Sequence, residues 1–230
     1  MHSDIEAHLL HLHRLVAPIS GALAVDVGCG DGSSTRALSS RGWRALGLEV
    51  TFQLVERARS AGQEAAGVSF SEGRGELLPA SASGAALITF LFSFHHVPED
   101  FRIQAIDEAK RSLLPDGRLH IVDPLPDGPM SEVVLPVEDE RATRRHAHQL
   151  LQSLDGKGWK LLSREEYVIG RVVPDFQTIV DDLLRMNPSQ NVQVSAMRPE
   201  MERRFKALGK PVKGGMRLDQ PCVAYHLEPV

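Results

Sequence analysis

Apolar residues along the chain form two alternating patterns, short near-continuous runs and longer stretches with helical spacing. Runs at residues 22–27, 43–48, 68–70, 86–91 and 118–122 read as strands, the most apolar of them covered on both faces. Between them, residues 33–41, 51–61 and 98–114 read as helices, with Phe52, Leu54, Val55 and Ala58, and Phe101, Ala105, Ile106 and Ala109, at helical spacing. This alternation predicts a parallel, doubly wound α/β sheet. A helix is also expected ahead of the first strand, where Ile5, Leu9, Leu12, Leu15 and Val16 share a face up to Pro18. His8, His11 and His13 interleave with that face and read as surface histidines.

Past Asp123-Pro124 the pattern changes. Pro124, Pro126, Gly128 and Pro129 predict a rigid loop, and residues 137–154 a charged helix containing His146 and His148. A late strand is expected at 159–172, helices at 174–186 and 199–208, and a closing strand at 216–227. The expected organisation is an N-terminal helix (1–20), a ligand-binding core (21–124), and substrate-side helices and closing strands of the same domain (125–230).

Composition narrows the class. With 230 residues, 42% hydrophobic and 24% charged, the chain can fill the core of one α/β domain with an appended lobe. A net charge of -4 supplies no overall basic field for nucleic acid or an anionic membrane. Arg141, Arg144 and Arg145, and Arg203, Arg204 and Lys206, therefore read as solvated faces. Two cysteines, Cys29 and Cys222, are too few for a disulfide framework, so a reducing, cytoplasmic setting is expected. Asp4 and Glu6 stand where a signal peptide would be basic, and no apolar run approaches ~18 residues, so neither secretion nor membrane insertion is expected.

The candidate chemistry centres on Asp26-Val27-Gly28-Cys29-Gly30-Asp31-Gly32, which follows the first strand and leads into a helix. Alternate glycines let a ligand approach the backbone, and the helix start offers amides to a carboxylate or phosphate. Asp26 would repel a pyrophosphate but receive an ammonium group. A zwitterionic ligand fits better than a dinucleotide.

Five stretches in order extend this reading: the Asp26–Gly32 stretch, Glu49 after the second strand, Glu76-Leu77-Leu78-Pro79, Phe94-His95-His96-Val97, and Leu113-Leu114-Pro115-Asp116-Gly117-Arg118-Leu119. Together they resemble the ordered motifs of class I S-adenosylmethionine-dependent methyltransferases. The subgroup resembled is the small-molecule branch similar to ubiquinone and menaquinone biosynthesis methyltransferases, over roughly residues 23–124. The resemblance implies a Rossmann-like, doubly wound seven-stranded sheet, mostly parallel with an antiparallel last strand, plus the N-terminal helix and a C-terminal helical substrate cap. It implies S-adenosyl-L-methionine as cofactor, contacted at Asp26, Gly28, Cys29, Gly30, Glu49, Val50, Arg74, Gly75 and Phe90. Asp26 would meet the ammonium directly or through water, and Glu49 would accept from both ribose hydroxyls, since an ionised carboxylate only accepts. The family commonly has an acidic residue near Arg74. Arginine cannot accept from the adenine amino group, so backbone groups of Arg74 and Gly75, with stacking, are expected there instead.

His95, His96 and Asp123 are the candidate catalytic residues. In some O-methyltransferases that this segment resembles, a histidine here works with an aspartate at the end of strand five, and imidazole titrates near operating pH. The competing reading is that the histidine pair serves packing and loop geometry. A metal held by His95, His96 and Asp123 is not expected, because adjacent side chains on a strand point to opposite sides. The leading expectation is methyl transfer to a small molecule, at a hydroxyl oxygen, by a monomer or homodimer that binds neither nucleic acid nor membrane. An NAD-dependent oxidoreductase and a non-catalytic S-adenosylmethionine-binding protein remain the alternatives.

Overall fold

The computed structural model describes residues 2–62 and 67–230, and for residues 2–7 and 10 the backbone only. Met1 of the expected 1–20 segment, and the side chains of Asp4, Ile5 and Glu6, thus lie outside the described residues.

Strand β1 (Leu23–Val27) is buried along its whole length. It is flanked by parallel partners, β2 (Arg44–Glu49) and β4 (Ala85–Leu91). Strand β3 (Val68–Glu72) extends the sheet beyond β2, and β5 (Leu113–Pro124) lies beside β4, both parallel. With β6 (Trp159–Val173), β7 (Lys210–Val212) and β8 (Gly215–Pro229), the strand order is β3-β2-β1-β4-β5-β8-β6, and β7 forms an antiparallel hairpin with β8. The sheet is mostly parallel with antiparallel C-terminal strands, a Rossmann-like arrangement. Seven strands lie on its main path as expected; the short β7 is the addition. The order reverses between β1 and β4, where folds of this kind place a ligand crevice.

Helices α2 (Ser33–Ser39), α3 (Phe52–Ser60) and α4 (Arg102–Ser112) follow β1, β2 and β4. The N-terminal helix α1 (His2–Leu15) buries Leu9 and Leu12 completely, in a cluster with Ala24, Leu38, Trp43 and Leu87. Those two side chains alone contribute about 3–6 kcal/mol. His8 is buried too, so the surface reading of the α1 histidines is corrected: the core-facing stripe of α1 includes a histidine.

Three further differences have local causes. Strand β5 begins at Leu113, not residue 118, because Ala85 pairs with Leu113 and Leu87 with Arg118, so the expected Pro115-Asp116-Gly117 turn is a bulge within a longer strand. The expected proline loop contains helix α5 (Pro129–Val134), which Pro129 opens at a position where its missing N–H costs nothing. Helix α6 (Arg141–Gln152) follows. After α7 (Phe176–Met186), helix α8 (Asn191–Leu208) starts eight residues before Pro199 and carries that proline inside; Val194 and Met201, on either side of it, are buried in one cluster.

The chain divides into two compact units. One holds the described residues up to Asp123 with His146–Glu165 and Val223–Val230; the other holds Pro124–Arg145 and Glu166–Cys222. In the second, α5, α7 and α8 pack around Val133, Phe176, Ile179, Met201 and Phe205. Among the described residues no helix is long and apolar enough to cross a membrane.

Candidate active site

The turn after β1 is shaped by a close approach. Gly28 lies at φ 75°, and a Cβ there would sit 2.4 Å from the Ser93 Cβ. The Ser93 hydroxyl in turn donates to the Val27 carbonyl at 2.5 Å, tying the end of β4 to the glycine turn. Gly28 itself remains exposed.

Most amides of the turn itself are used within the protein. Gly28 and Cys29 N–H donate to the Leu48 carbonyl at 2.7 and 3.0 Å, and Gly30 N–H donates to Glu49 Oε2 at 3.1 Å. Gly32 N–H donates to the Cys29 carbonyl, and Ser33 N–H to Asp31 Oδ1. This rigid, self-satisfied turn presents the Glu49 carboxylate beside it; the second Glu49 oxygen accepts from Thr51 N–H at 3.0 Å. Glu49 is 7% exposed, and Val50 and Phe52 next to it project apolar surface into solvent.

Asp26 is 1% exposed and accepts from three hydroxyls: Ser34 at 2.5 Å, Thr35 at 2.7 Å and Thr89 at 3.0 Å. It therefore joins β1 to the first turn of α2 and to β4. Burial pushes its carboxyl above the usual range, against the pull of the three hydroxyls. Cys29 is buried, and burial with the nearby Asp26 and Glu49 raises its thiol far above the ordinary range, so it is an inert thiol.

In the stretch after β3, the Arg74 side chain is exposed, near Glu76 at 3.9 Å. Gly73 N–H donates to the Glu49 carbonyl. Gly75 is packed on Phe90 so closely that a Cβ would lie 3.1 Å from its ring. Phe90 is wholly buried, edge-to-face with Phe94. It supports Gly75 and exposes no surface of its own.

At the ends of β4 and β5 the structure brings two of the candidate catalytic residues together. Phe92 adopts φ 59°, a strained backbone for a bulky residue, and turns the chain out of β4. Its ring meets that of His8 at 4.5 Å. The following 3-10 turn, Phe94–His96, buries His95 and exposes His96. Asp123, fully buried at the end of β5, holds His95 twice, accepting from its backbone N–H at 3.1 Å and pairing with ring Nδ1 at 2.8 Å. Carboxylate on Nδ1 selects the tautomer whose Nε2 carries the lone pair. The His96 ring lies 4.1 Å from that of His95, so these neighbours do not point to opposite sides: the 3-10 turn replaces the strand alternation assumed from sequence.

Arg102, the first residue of α4, braces this turn from beneath. Its buried guanidinium donates to the carbonyls of His95 at 2.7 Å and Val97 at 3.0 Å, and to His146 Nδ1 at 2.8 Å; His146 Nε2 lies 3.2 Å from Glu99. Sequence reasoning missed Ser93, Thr89 and Arg102. Ser34 and Thr35, polar residues in the first turn of a helix that must face the sheet, carried the available signal for the Asp26 network.

Residues 24–117 match the family model described as a methyltransferase domain. Two curated proteins are similar over 101 and 107 residues: the uncharacterized methyltransferase YcgJ of Bacillus subtilis (35% identity, 43% of this chain and 39% of that protein), and the ubiquinone biosynthesis O-methyltransferase of Xylella fastidiosa (30% identity, 45% and 42%). The chain thus spans about two-fifths of the length of these relatives. Among solved structures, the Bacillus subtilis YcgJ protein aligns with 98% of this chain and 99% of its own at TM-score 0.63 and 15% identity, and BH2331 of Bacillus halodurans with 99% and 100% at TM-score 0.64 and 19% identity. At these identities the structural likeness speaks to the fold, and the matched sequence speaks to the family. Residues 24–117 are a methyltransferase domain, carried on a Rossmann-like α/β fold.

Proposed function

We propose that the protein transfers a methyl group from S-adenosylmethionine to a hydroxyl oxygen of a small molecule. The observation that carries this reading is the buried pair formed by His95, in the turn after β4 and within the stretch that matches a methyltransferase domain, and Asp123 at the end of β5, six residues beyond that stretch. The cofactor's sulfonium supplies an electrophilic methyl group. The residues present fit it: Glu49 offers acceptor oxygens to a ribose diol, Gly28 leaves its backbone open, and Asp26 holds the turn rigid through its three hydroxyl partners. Val50, and the backbone of Arg74 and Gly75, would border the adenine.

His95 Nε2 would take the acceptor's hydroxyl proton while that oxygen forms its bond to the methyl carbon and the methyl–sulfur bond breaks, leaving a thioether. Asp123 would fix the tautomer and balance the imidazolium formed. His96, exposed beside His95, would touch the acceptor. Alignment and water exclusion supply the rest of the rate. The Xylella relative, named as an O-methyltransferase, supports oxygen as the target.

Calorimetric titration with S-adenosylmethionine, S-adenosylhomocysteine and NAD tests the donor. Binding of NAD without response to S-adenosylhomocysteine would overturn the proposal. Labelled methyl transfer into metabolite extracts identifies the acceptor, and a product carrying the label on nitrogen, carbon or sulfur would overturn the hydroxyl target.

A further inference from the structure

The protonation of the His95–Asp123 pair is a matter of charge count. Asp123 is 0% and His95 3% exposed, so a carboxylate and an imidazole share a site closed to water. Taken alone, the pair carries one net negative charge while the ring is neutral and none once it is an imidazolium. Burial penalises net charge. The isolated pair would therefore rest protonated, with no lone pair at His95 Nε2.

Arg102, at the start of α4, reverses that count. Its side chain is buried at 1% exposure. Burial pulls the guanidinium below its ordinary range while Glu99 and Asp123 pull the other way, so both carboxylates lie within reach of its charge. With Arg102 included, the site is neutral while His95 is neutral, and a proton on the ring leaves one uncompensated positive charge. The other groups around the ring alter this little. His146 Nδ1 faces Arg102 Nη1 at 2.8 Å, and because a guanidinium only donates, that imidazole accepts and is uncharged. Glu99, beyond it, has a side chain 63% exposed, where water screens its charge. His96, 4.1 Å from the His95 ring, is exposed. Glu140, grouped with these two histidines among the described residues, is compensated by Arg144.

The same guanidinium also fixes where the ring points. A short 3-10 turn leaves its last carbonyls without partners inside the turn. Arg102 Nη2 donates to the His95 carbonyl at 2.7 Å and Nε to the Val97 carbonyl at 3.0 Å, a planar fork that a lysine ammonium does not reproduce. We propose that Arg102 is a positioning residue of the methyl transfer proposed above: its buried charge balances Asp123 so that His95 rests as a neutral base, and its fork holds the turn that aims the ring. The aim and the charge are separable, because lysine keeps the second and loses the first.

NMR titration of the imidazole nitrogens in the full chain tests this, with His95 assigned by the signal lost in His95→Gln. In the wild type, His95 is expected to be neutral at pH 7. Arg102→Gln should raise the pH at which it titrates by about 1–2 pH units, while Arg102→Lys should titrate close to the wild type. Turnover at pH 7 in Arg102→Gln should fall about 10-fold to 100-fold and recover as the pH is raised, with S-adenosylhomocysteine affinity unchanged. Arg102→Lys should lose a similar factor at every pH, through misalignment alone. A purely structural brace would lower stability without moving the titration. An unmoved His95 titration in Arg102→Gln overturns the proposal; if that variant does not fold, an imidazolium at pH 7 in the wild type or in Arg102→Lys does so. The titration needs no methyl donor, so its outcome is separate from that of the donor and labelling experiments, which decide the methyl-transfer reading itself.

Discussion

Asp26 and Asp123 are both buried carboxylates of one sheet, on β1 and at the end of β5, yet their partners differ in kind. Asp26 is held by three hydroxyls, which have no charge to exchange with it. Asp123 is held by a histidine, whose ring can take and return a proton. A buried carboxylate among neutral donors stiffens a binding loop, whereas one facing an imidazole can serve chemistry. Under the proposed function, this separates the donor side of the site from the acceptor side.

The largest expected effect lies on the acceptor side. His95→Gln and Asp123→Asn should each lower turnover by about 10²- to 10⁴-fold, with S-adenosylhomocysteine affinity unchanged in calorimetry. Turnover at the wild-type level in either variant would erase the contrast.

Asp26→Ala comes next. It strands three buried hydroxyls, so it should cost about 3 kcal/mol or more in denaturant unfolding and lose cofactor binding. Asp26→Asn sharpens the comparison. Burial raises the folded-state pKa of Asp26 above its unfolded value, so its charge opposes stability at neutral pH, and an amide should preserve the fold. The same change at Asp123 presents an amide to His95 Nδ1 and should damage turnover while leaving unfolding little altered.

Acid provides a third arm. His8, His120 and His226 are held neutral, near 3, 3 and 4, by burial, against an ordinary 6.5. The unfolded chain therefore binds more protons as pH falls from about 6.5 toward 4, and stability should decline through that window. A stability profile flat from pH 7 to pH 4.5 would contradict the burial of these three rings. The smallest effect is Thr89→Val, which removes one of three donors to Asp26 and should cost about 1 kcal/mol with turnover intact.

Much of the fold was legible because local patterns and tertiary structure agree in its first half. The apolar run 86–91 predicts a strand buried on both faces, and β4 is buried up to its last residue. The second unit was harder to read. Prolines normally bound helices, yet Pro129 opens α5 where a loop was expected, and Pro199 lies inside α8, whose two halves share one apolar cluster. At the site, the glycines marked the turn correctly. What the glycines did not reveal is that Leu48 and Glu49, about twenty residues away, accept from the amides of Gly28, Cys29 and Gly30.

By itself the sequence determined the order of strands and helices as far as β5, the glycine turn, and the acidic and histidine positions at the strand ends, since these follow from period, turn chemistry and residue type. Tertiary structure alone decided which side chains meet. Adjacent strands bring His120 to His226, a 3-10 turn sets His95 beside His96, and Arg102 reaches back to the His95 carbonyl. Such contacts depend on strand register and backbone direction across tens of residues, which no local pattern specifies.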